Sequence, residues 1–397
     1  MIKDFDDALK IAKKTEEHKI SRLLESLPLT IRAQVADHLI ATKRYSAKIS
    51  SWINNNCEIE LVAAEPASPE PVALARFNKL SGRTAIDLTA GLGMDTYALS
   101  RKFNRVIALE RDADRAKRLK RNMDRIGATN VWVINTASEQ YLKECKLDEI
   151  DFIFVDPDRR ARGNKRSDWM AAEPRLDTIL NLIPHSIPVW VKQSPAFHWR
   201  EACVYFPQLK EIEASSWKNE TKEIVWKFNE QETNAGQLNL RARNILNNVA
   251  FEFMCAKEMM LNPNKVNEIN NNNNQQGLKY IIIPANSILS INVEQEWINS
   301  LGIECWSTGP HGWFLTDQKF ESGLGQACEL TAWNIGRLSE LGRWLKKNNW
   351  RPNTISKRGI QAKLEQIIAK WNLETGERRD LWLGASGTGQ YFLGVGR

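Results

Sequence analysis

Apolar positions in the first 55 residues recur at three- and four-residue intervals: Ile20, Leu23, Leu24 and Leu27, then Ile31, Val35, Leu39 and Ile40. That spacing lines one face of a helix and predicts a helical N-terminal region. The stretch Glu65-Pro-Ala-Ser-Pro-Glu-Pro71 follows, and its three prolines predict a linker, since proline lacks the backbone N–H that a helix interior or central strand needs. From Thr84 the pattern changes to short apolar runs alternating with helical segments. Strands are predicted at Thr84–Leu88, Arg105–Leu109, Asn130–Ile134, Asp151–Val155 and Ile187–Val191, and helices at Thr96–Lys102 and Ala113–Ile126. Such alternation implies right-handed βαβ units and a mostly parallel sheet, with its ligand site at the carboxyl ends of the strands. Leu209–Ser215 and Lys222–Asn229, joined by the turn-like Trp217–Glu220, predict an antiparallel hairpin at the sheet's end.

The polar run at 267–277, NEINNNNNQQG, cannot bury a core and reads as a loop or linker. A new α/β pattern begins after it. Strands are predicted at Lys279–Ile283, Ile303–Trp306, Trp313–Leu315, Leu381–Leu383 and Tyr391–Val395, with helices at Val293–Ser300 and Gln361–Trp371. The fold class is therefore α/β, a Rossmann-like sheet with an N-terminal helical region and small α+β domains after it. The divisions are 1–70 (helical region and linker), 71–230 (Rossmann-like domain), 231–277 (connecting segment), 278–345 and 346–397 (two small domains). A chain of 397 residues exceeds the size one core usually serves.

Composition narrows the class. Hydrophobic residues make up 42% and charged residues 26%, as in an ordinary globular protein. Acids and lysines interrupt the first twenty residues where a signal peptide needs an apolar stretch, and no run reaches membrane-spanning length. A cytoplasmic protein without a membrane partner is expected. Six cysteines are scattered without a CxxC pair or a histidine at ligand spacing, so buried thiols and no metal are expected. Residues 337–397 hold twelve Lys or Arg against five acids, which accounts for the whole net charge of +7. Charge so placed suits contact with nucleic-acid phosphates, although a soluble, lysine-decorated domain would look the same.

The most specific chemical element is Asp87-Leu-Thr-Ala90-Gly91-Leu-Gly93-Met-Asp95, set between a predicted strand and a predicted helix. Two glycines allow a tight turn against a ligand, and the helix start offers free amides to an anionic group. That group would be a pyrophosphate in a nicotinamide site and a carboxylate in a methyl donor. A dinucleotide fingerprint needs a third glycine where this chain has Thr96, which weakens the dehydrogenase reading. Glu110 closes the second strand, followed by Arg111, where a carboxylate can accept both hydroxyls of a ribose. Asn135 closes the third. The fourth strand ends in Asp156-Pro157-Asp158-Arg159-Arg160, placing a carboxylate at the crevice and guanidinium donors beside it. The fifth ends in Lys192-Gln-Ser194-Pro195, and Lys192 is a candidate for substrate binding or proton work.

The combination DLTAGLGMD, ALER, FVDPDRR and VKQSP resembles the class I S-adenosylmethionine-dependent methyltransferases, and more narrowly the bacterial group with a ferredoxin-like domain and a C-terminal THUMP-like domain. Asp156, Pro157, Arg159 and Arg160 match that group's aspartate-proline-x-arginine-arginine stretch, and Lys192, Ser194 and Pro195 its lysine-x-serine-proline stretch. Tyr280–Ile288 and Ser356–Gly359 resemble the starts of the two smaller domains. The resemblance implies S-adenosylmethionine as cofactor, held by Asp87, Ala90, Gly91, Gly93, Asp95, Glu110, Arg111 and Asn135. It further implies Asp156 and Lys192 as catalytic residues, Pro157, Arg159, Arg160, Ser194 and Pro195 as substrate-binding residues, and RNA as partner. A methyltransferase of small molecules or proteins, or a non-catalytic RNA-binding protein keeping the fold, are the alternatives. Carbon-5 methylation of pyrimidines needs a cysteine nucleophile, and none adjoins Asp156 or Lys192 in sequence. An exocyclic amine is the favoured acceptor, with a ribose hydroxyl the alternative.

Overall fold

A computed structural model describes residues 4–158, 171–195, 199–229, 236–257, 278–308, 312–335, 337–349, 354–358, 360–361, 363–371, 380–385 and 391–396. The chain divides into two compact units, residues 1–241 with 254–257, and residues 242–253 with 258–397.

The first unit opens with six helices: α1 Phe5–Ala12, α2 Ile20–Glu25, α3 Leu29–Tyr45, α4 Ser50–Asn54, α5 Leu61–Ala64 and α6 Glu70–Arg76. Asp4 caps α1 by accepting from the Asp7 amide. Phe5, Leu9 and Ala12 pack with Leu27 and Val35 in a satellite core, while Ile40 falls off that face and stays exposed. The proline-rich stretch separates α5 from α6, and its last proline, Pro71, sits in the first turn of α6, where a missing N–H costs nothing.

Fourteen further elements follow, and nine of them are the strands of one sheet, the last two of which carry residues of both units. In chain order they include β1 Gly82–Asp87, α7 Met94–Ser100, β2 Phe103–Glu110, α8 Ala113–Arg125, β3 Val131–Asn135, α9 Ser138–Glu144, β4 Phe152–Val155, α10 Leu176–Leu182, β5 Val189–Gln193 and α11 Trp199–Tyr205. The strands β6 Leu209–Trp217, β7 Glu220–Phe228, β8 Gln237–Asn244 and β9 Val249–Ala256 follow. The strand order is β3-β2-β1-β4-β5-β7-β6-β8-β9, with β1 to β5 parallel and β7 antiparallel to both β5 and β6. The predicted strands and terminal hairpin are thus present, as a Rossmann-like sheet. Helix α8 shows why: Asp112 caps it, Ala116, Leu119 and Met123 fall on its buried face, and Gly127 at φ +74° ends it. Its opposite face is arginine-rich and is tied to the N-terminal helices, Arg115 and Arg118 to Glu60 and Arg121 to Glu58. The main core joins Trp52, Ile59 and Phe77 from the helical region to Leu99, Leu119, Phe152 and Trp190 of the sheet and its helices.

Strand order reverses between β1 and β4, whose neighbours then run away in opposite directions. The chain ends leaving those two strands part there and open a crevice at their carboxyl ends.

The second unit carries an eight-stranded sheet. Its strands are β10 Tyr280–Pro284, β11 Trp306–Ser307, β12 Phe314–Thr316, β13 Glu321–Ser322, β14 Gly325–Ile335, β15 Thr354–Arg358, β16 Asp380–Ala385 and β17 Tyr391–Gly396, in the order β11-β12-β10-β14-β17-β16-β15 with β13 beside β14. Helices α12 Asn286–Ser290, α13 Glu294–Ser300, α14 Leu338–Lys347 and α15 Leu364–Trp371 accompany it. The division drawn at 345/346 falls within this sheet, because β14 pairs with β17. The Asn-rich run lies outside the described residues. Among the described residues no helix is long and apolar enough to cross a membrane.

Candidate active site

The crevice encloses about 1200 Å³ and is walled by the loops after β1, β2, β3, β4 and β5. Its floor is the turn from Leu88 to Gly93. Gly91 and Gly93 adopt φ +51° and +94°, a region costly to residues with a Cβ. At Gly93 space is also decisive: a Cβ would lie 2.3 Å from Leu119 Cδ1 and 2.9 Å from Met123 Cε, so α8 can approach only over a glycine. Within the turn the Ala90 amide donates to the Leu109 carbonyl at 3.0 Å and the Gly93 amide to that of Ala90 at 2.8 Å. The turn is thereby locked to β2.

Asp87 does not face the crevice, contrary to the expectation from sequence. It is fully buried and accepts from the Thr89 amide (3.1 Å) and from Thr96 Oγ1 (2.6 Å). Burial pushes its pKa up to about 7, against the pull of those two bonds; the charges of Asp95 and Asp156 add to the rise. Asp87 therefore shapes the turn and is not among the residues lining the crevice. Thr96, which stands where a dinucleotide site has glycine, is the donor that holds it.

Glu110 does line the crevice. Its carboxylate accepts from the Gly91 amide (3.1 Å) and the Asp112 amide (2.9 Å), so its position is fixed before any ligand arrives while further lone pairs stay available. Arg111 also lines the crevice and pairs with Glu173 at 2.9 Å. Asn135 does not: it is exposed, and its Nδ2 donates to the carbonyls of Glu110 and Arg111. It steadies the end of β2 from outside.

Asp95 lines the crevice from the first turn of α7 and is bound by Arg76. The Arg76 guanidinium is 1% exposed, bonds Glu223 of β7 through both Nε and Nη2, donates to Ser68 Oγ at 2.8 Å, and lies over the Phe77 and Phe154 rings. Burial disfavours its charge, but Asp95 and Glu223 outweigh that and raise its pKa. One buried cation therefore joins α7, the helix that follows the glycine turn, to the antiparallel hairpin. Arg76 and Glu223 are 147 residues apart, and no pattern in the sequence singles them out.

At the far end of the crevice the structure brings Asp156 and Lys192 together, with Lys192 Nζ 2.6 Å from Asp156 Oδ2. The pairing follows from register: β4 and β5 run parallel with Val155 opposite Val191, so the next residue of each strand emerges side by side at the carboxyl ends. The Asp156 amide donates to Thr89 Oγ1 at 2.6 Å, tying this loop to the glycine turn. Pro157, Ser194 and Pro195 line the same end, as do Gln193 and Lys222, which sequence reasoning missed. Arg159 and Arg160 lie outside the described residues. None of the six cysteines lines the crevice, and burial holds Cys57 and Cys203 far from thiolate, at about 12 and about 11.

A family model described as conserved hypothetical protein 95 matches residues 69–172, the segment from α6 past β4. Among solved structures, a "putative methyltransferase" of Porphyromonas gingivalis W83 is 20% identical, with a TM-score of 0.80, and the match covers 100% of this chain and 99% of that one. A "putative methyltransferase" of Streptococcus mutans in complex with SAH is 15% identical over 40% of this chain and 95% of its own, with a TM-score of 0.29. An rRNA methylase of Streptococcus thermophilus is 14% identical over 41% and 94%, with a TM-score of 0.28. No curated protein matches the chain. The Porphyromonas likeness extends over the whole chain, and the α/β architecture of this protein is therefore a Rossmann-like, mostly parallel sheet accompanied by a second, largely antiparallel one.

Proposed function

We propose that this chain is an S-adenosylmethionine-dependent methyltransferase acting on RNA, with an exocyclic amine favoured as acceptor over a ribose hydroxyl. The observation that carries the reading is one crevice with a prebuilt carboxylate and glycine turn at one end and the Asp156–Lys192 pair at the other. The cofactor fits the residues present. Glu110 keeps lone pairs for two ribose hydroxyls, Gly91 and Gly93 let backbone approach closely, and the volume exceeds the roughly 300–1,000 Å³ typical of small-ligand sites, leaving room for an acceptor.

S-adenosylmethionine supplies, when bound, a methyl carbon made electrophilic by its sulfonium. The chain's own contribution is orientation. Asp156 can accept an N–H of an acceptor amine and so aim the nitrogen lone pair, while the Lys192 ammonium fixes the carboxylate's direction. The proton displaced from the amine has Asp156 as its nearest acceptor. The absence of cysteine from the crevice argues against attack through a pyrimidine carbon, which needs a thiolate. The basic balance of 337–397, including Lys346 and Lys347 at the end of α14, supports an RNA partner through phosphate neutralisation.

Two measurements test this. Titration calorimetry with S-adenosylmethionine should give binding, and transfer of labelled methyl to total RNA from a deletion strain should exceed transfer to protein or small-molecule extracts. Binding without any transfer to RNA would favour a different acceptor; no binding would remove the enzyme reading altogether.

A further inference from the structure

Past the last paired residues of β1 and β4 the bonding between these strands continues by other means. Asp87 stands opposite Phe154, and one residue later the Leu88 amide still donates to the Phe154 carbonyl at 2.9 Å. In a parallel pair the next rung runs from the Asp156 amide back to the Leu88 carbonyl. Here that rung is replaced. The Asp156 amide donates to Thr89 Oγ1 at 2.6 Å, and the Leu88 carbonyl accepts from Ser138 Oγ at 2.6 Å. The chain is turning into the glycine loop, with Gly91 at φ +51°, and a side-chain oxygen does what strand carbonyls do further back. Thr89 is itself held, since its amide donates to Asp87 Oδ1 at 3.1 Å while Asp87 Oδ2 accepts from Thr96 Oγ1 at 2.6 Å. Hydrogen bonds thus run in line from α7 through Asp87 and Thr89 to the backbone of Asp156, whose carboxylate meets Lys192.

We infer that Thr89 is a positioning residue for the transfer reaction, its hydroxyl oxygen fixing the backbone from which the Asp156 carboxylate reaches the acceptor; this rests on the methyltransferase reading above. The two supports of Asp156 divide the work. Lys192 meets the carboxylate from a flexible stem, whereas a β-branched side chain is stiff at χ1, so Thr89 sets where the residue is rooted. Valine has the shape of threonine but no acceptor. In its place the Asp156 amide must turn toward water, and the carboxylate turns with it. A misplacement of about 1 Å at a reacting group is enough to cost on the order of 10²-fold in rate.

The test uses the full chain with S-adenosylmethionine and total RNA from a deletion strain. Thr89→Val should slow single-turnover transfer of labelled methyl tenfold or more at saturating cofactor, and Thr89→Ser, which keeps the oxygen, should keep at least a third of the wild-type rate. Cofactor affinity should stay within threefold in both. Added to Asp156→Asn, Thr89→Val should cost less than a further threefold, because it acts through a carboxylate already lost, whereas a general structural defect would cost its full amount again. A second readout needs no acceptor: hydrogen exchange at the Asp156 amide, followed by NMR, should quicken tenfold or more in Thr89→Val and stay near wild type in Thr89→Ser. An unchanged rate in Thr89→Val, equal losses in the valine and serine variants, additive losses with Asp156→Asn, or unaltered exchange at Asp156 would each overturn the assignment. Transfer to no acceptor by the wild-type chain would remove the methyltransferase reading and the catalytic role with it, while the exchange rates would still decide whether Thr89 holds Asp156.

Discussion

The two ends of the crevice are built on different principles. At the β1–β2 end every acidic group is already served: Glu110 by two backbone amides, Asp87 by an amide and a hydroxyl, Asp95 by a buried arginine. At the β4–β5 end the acidic group is held by a side chain, Asp156 by Lys192. Backbone donors cannot shift much, so the first end is rigid and suits a ligand of constant shape. A lysine on a flexible four-carbon stem can move, so the second end suits a variable partner. Under the proposed function, the difference puts the cofactor at the first end and the acceptor at the second.

The sharpest way to break this contrast is Asp156→Asn. The substitution keeps the shape and removes the charge, so turnover should fall on the order of 10²- to 10⁴-fold while cofactor affinity holds. A loss under tenfold in single-turnover assays would reduce Asp156 to a turn-former. Next in size is Arg76→Met. It strands the Asp95 and Glu223 carboxylates in a buried site, for which roughly 3–5 kcal/mol of stability should be lost, read from the urea midpoint at unchanged slope. Adding Glu223→Gln should restore part of that loss, because one stranded charge goes with it.

The two ends were also unequally legible in the sequence. The glycine turn and Glu110 could be placed because βαβ spacing fixes where strands end, and Asp156 and Lys192 because they terminate apolar runs. The role of Asp87 could not: a carboxylate after a strand looks the same whether it faces a ligand or bonds Thr96, and only burial separates the two. Asn135 failed for a similar reason, since it serves the backbone of a neighbouring strand. The contact between Arg76 and Glu223 is tertiary and has no periodic signature. The long strand β14, which joins the two small modules expected after residue 278 into one sheet, was likewise missed. Its polar positions at Gln326 and Glu329 break the apolar run that marks a strand.

A smaller effect sharpens the rigid end. Gly93→Ala should lose about 1–3 kcal/mol, since the new Cβ meets Leu119 in a backbone conformation that disfavours it, whereas Gly91→Ala meets only the Thr89 carbonyl, at 3.8 Å, and should lose less. Comparable losses at both positions would mean the contact with α8 is unimportant. The smallest effect is a pH dependence at Asp87. Its carboxyl titrates near 7 in the folded chain and near 4 in an unfolded one, so between about pH 4 and 7 the folded state holds the extra proton. Wild-type stability should therefore decline relative to Asp87→Asn as pH rises through that window and level off above it. A stability difference independent of pH would show that the Asp87 charge is compensated in place.

The division of the crevice is tested most directly by measuring S-adenosylmethionine affinity by calorimetry for wild type, Glu110→Ala and Asp156→Asn side by side. Glu110→Ala should weaken binding tenfold or more, about 1.4 kcal/mol, because it removes a crevice-lining carboxylate held in place by two backbone amides. Asp156→Asn should bind within threefold of wild type. Equal losses in the two variants, or a loss confined to Asp156→Asn, would contradict the assignment of the cofactor to the β1–β2 end.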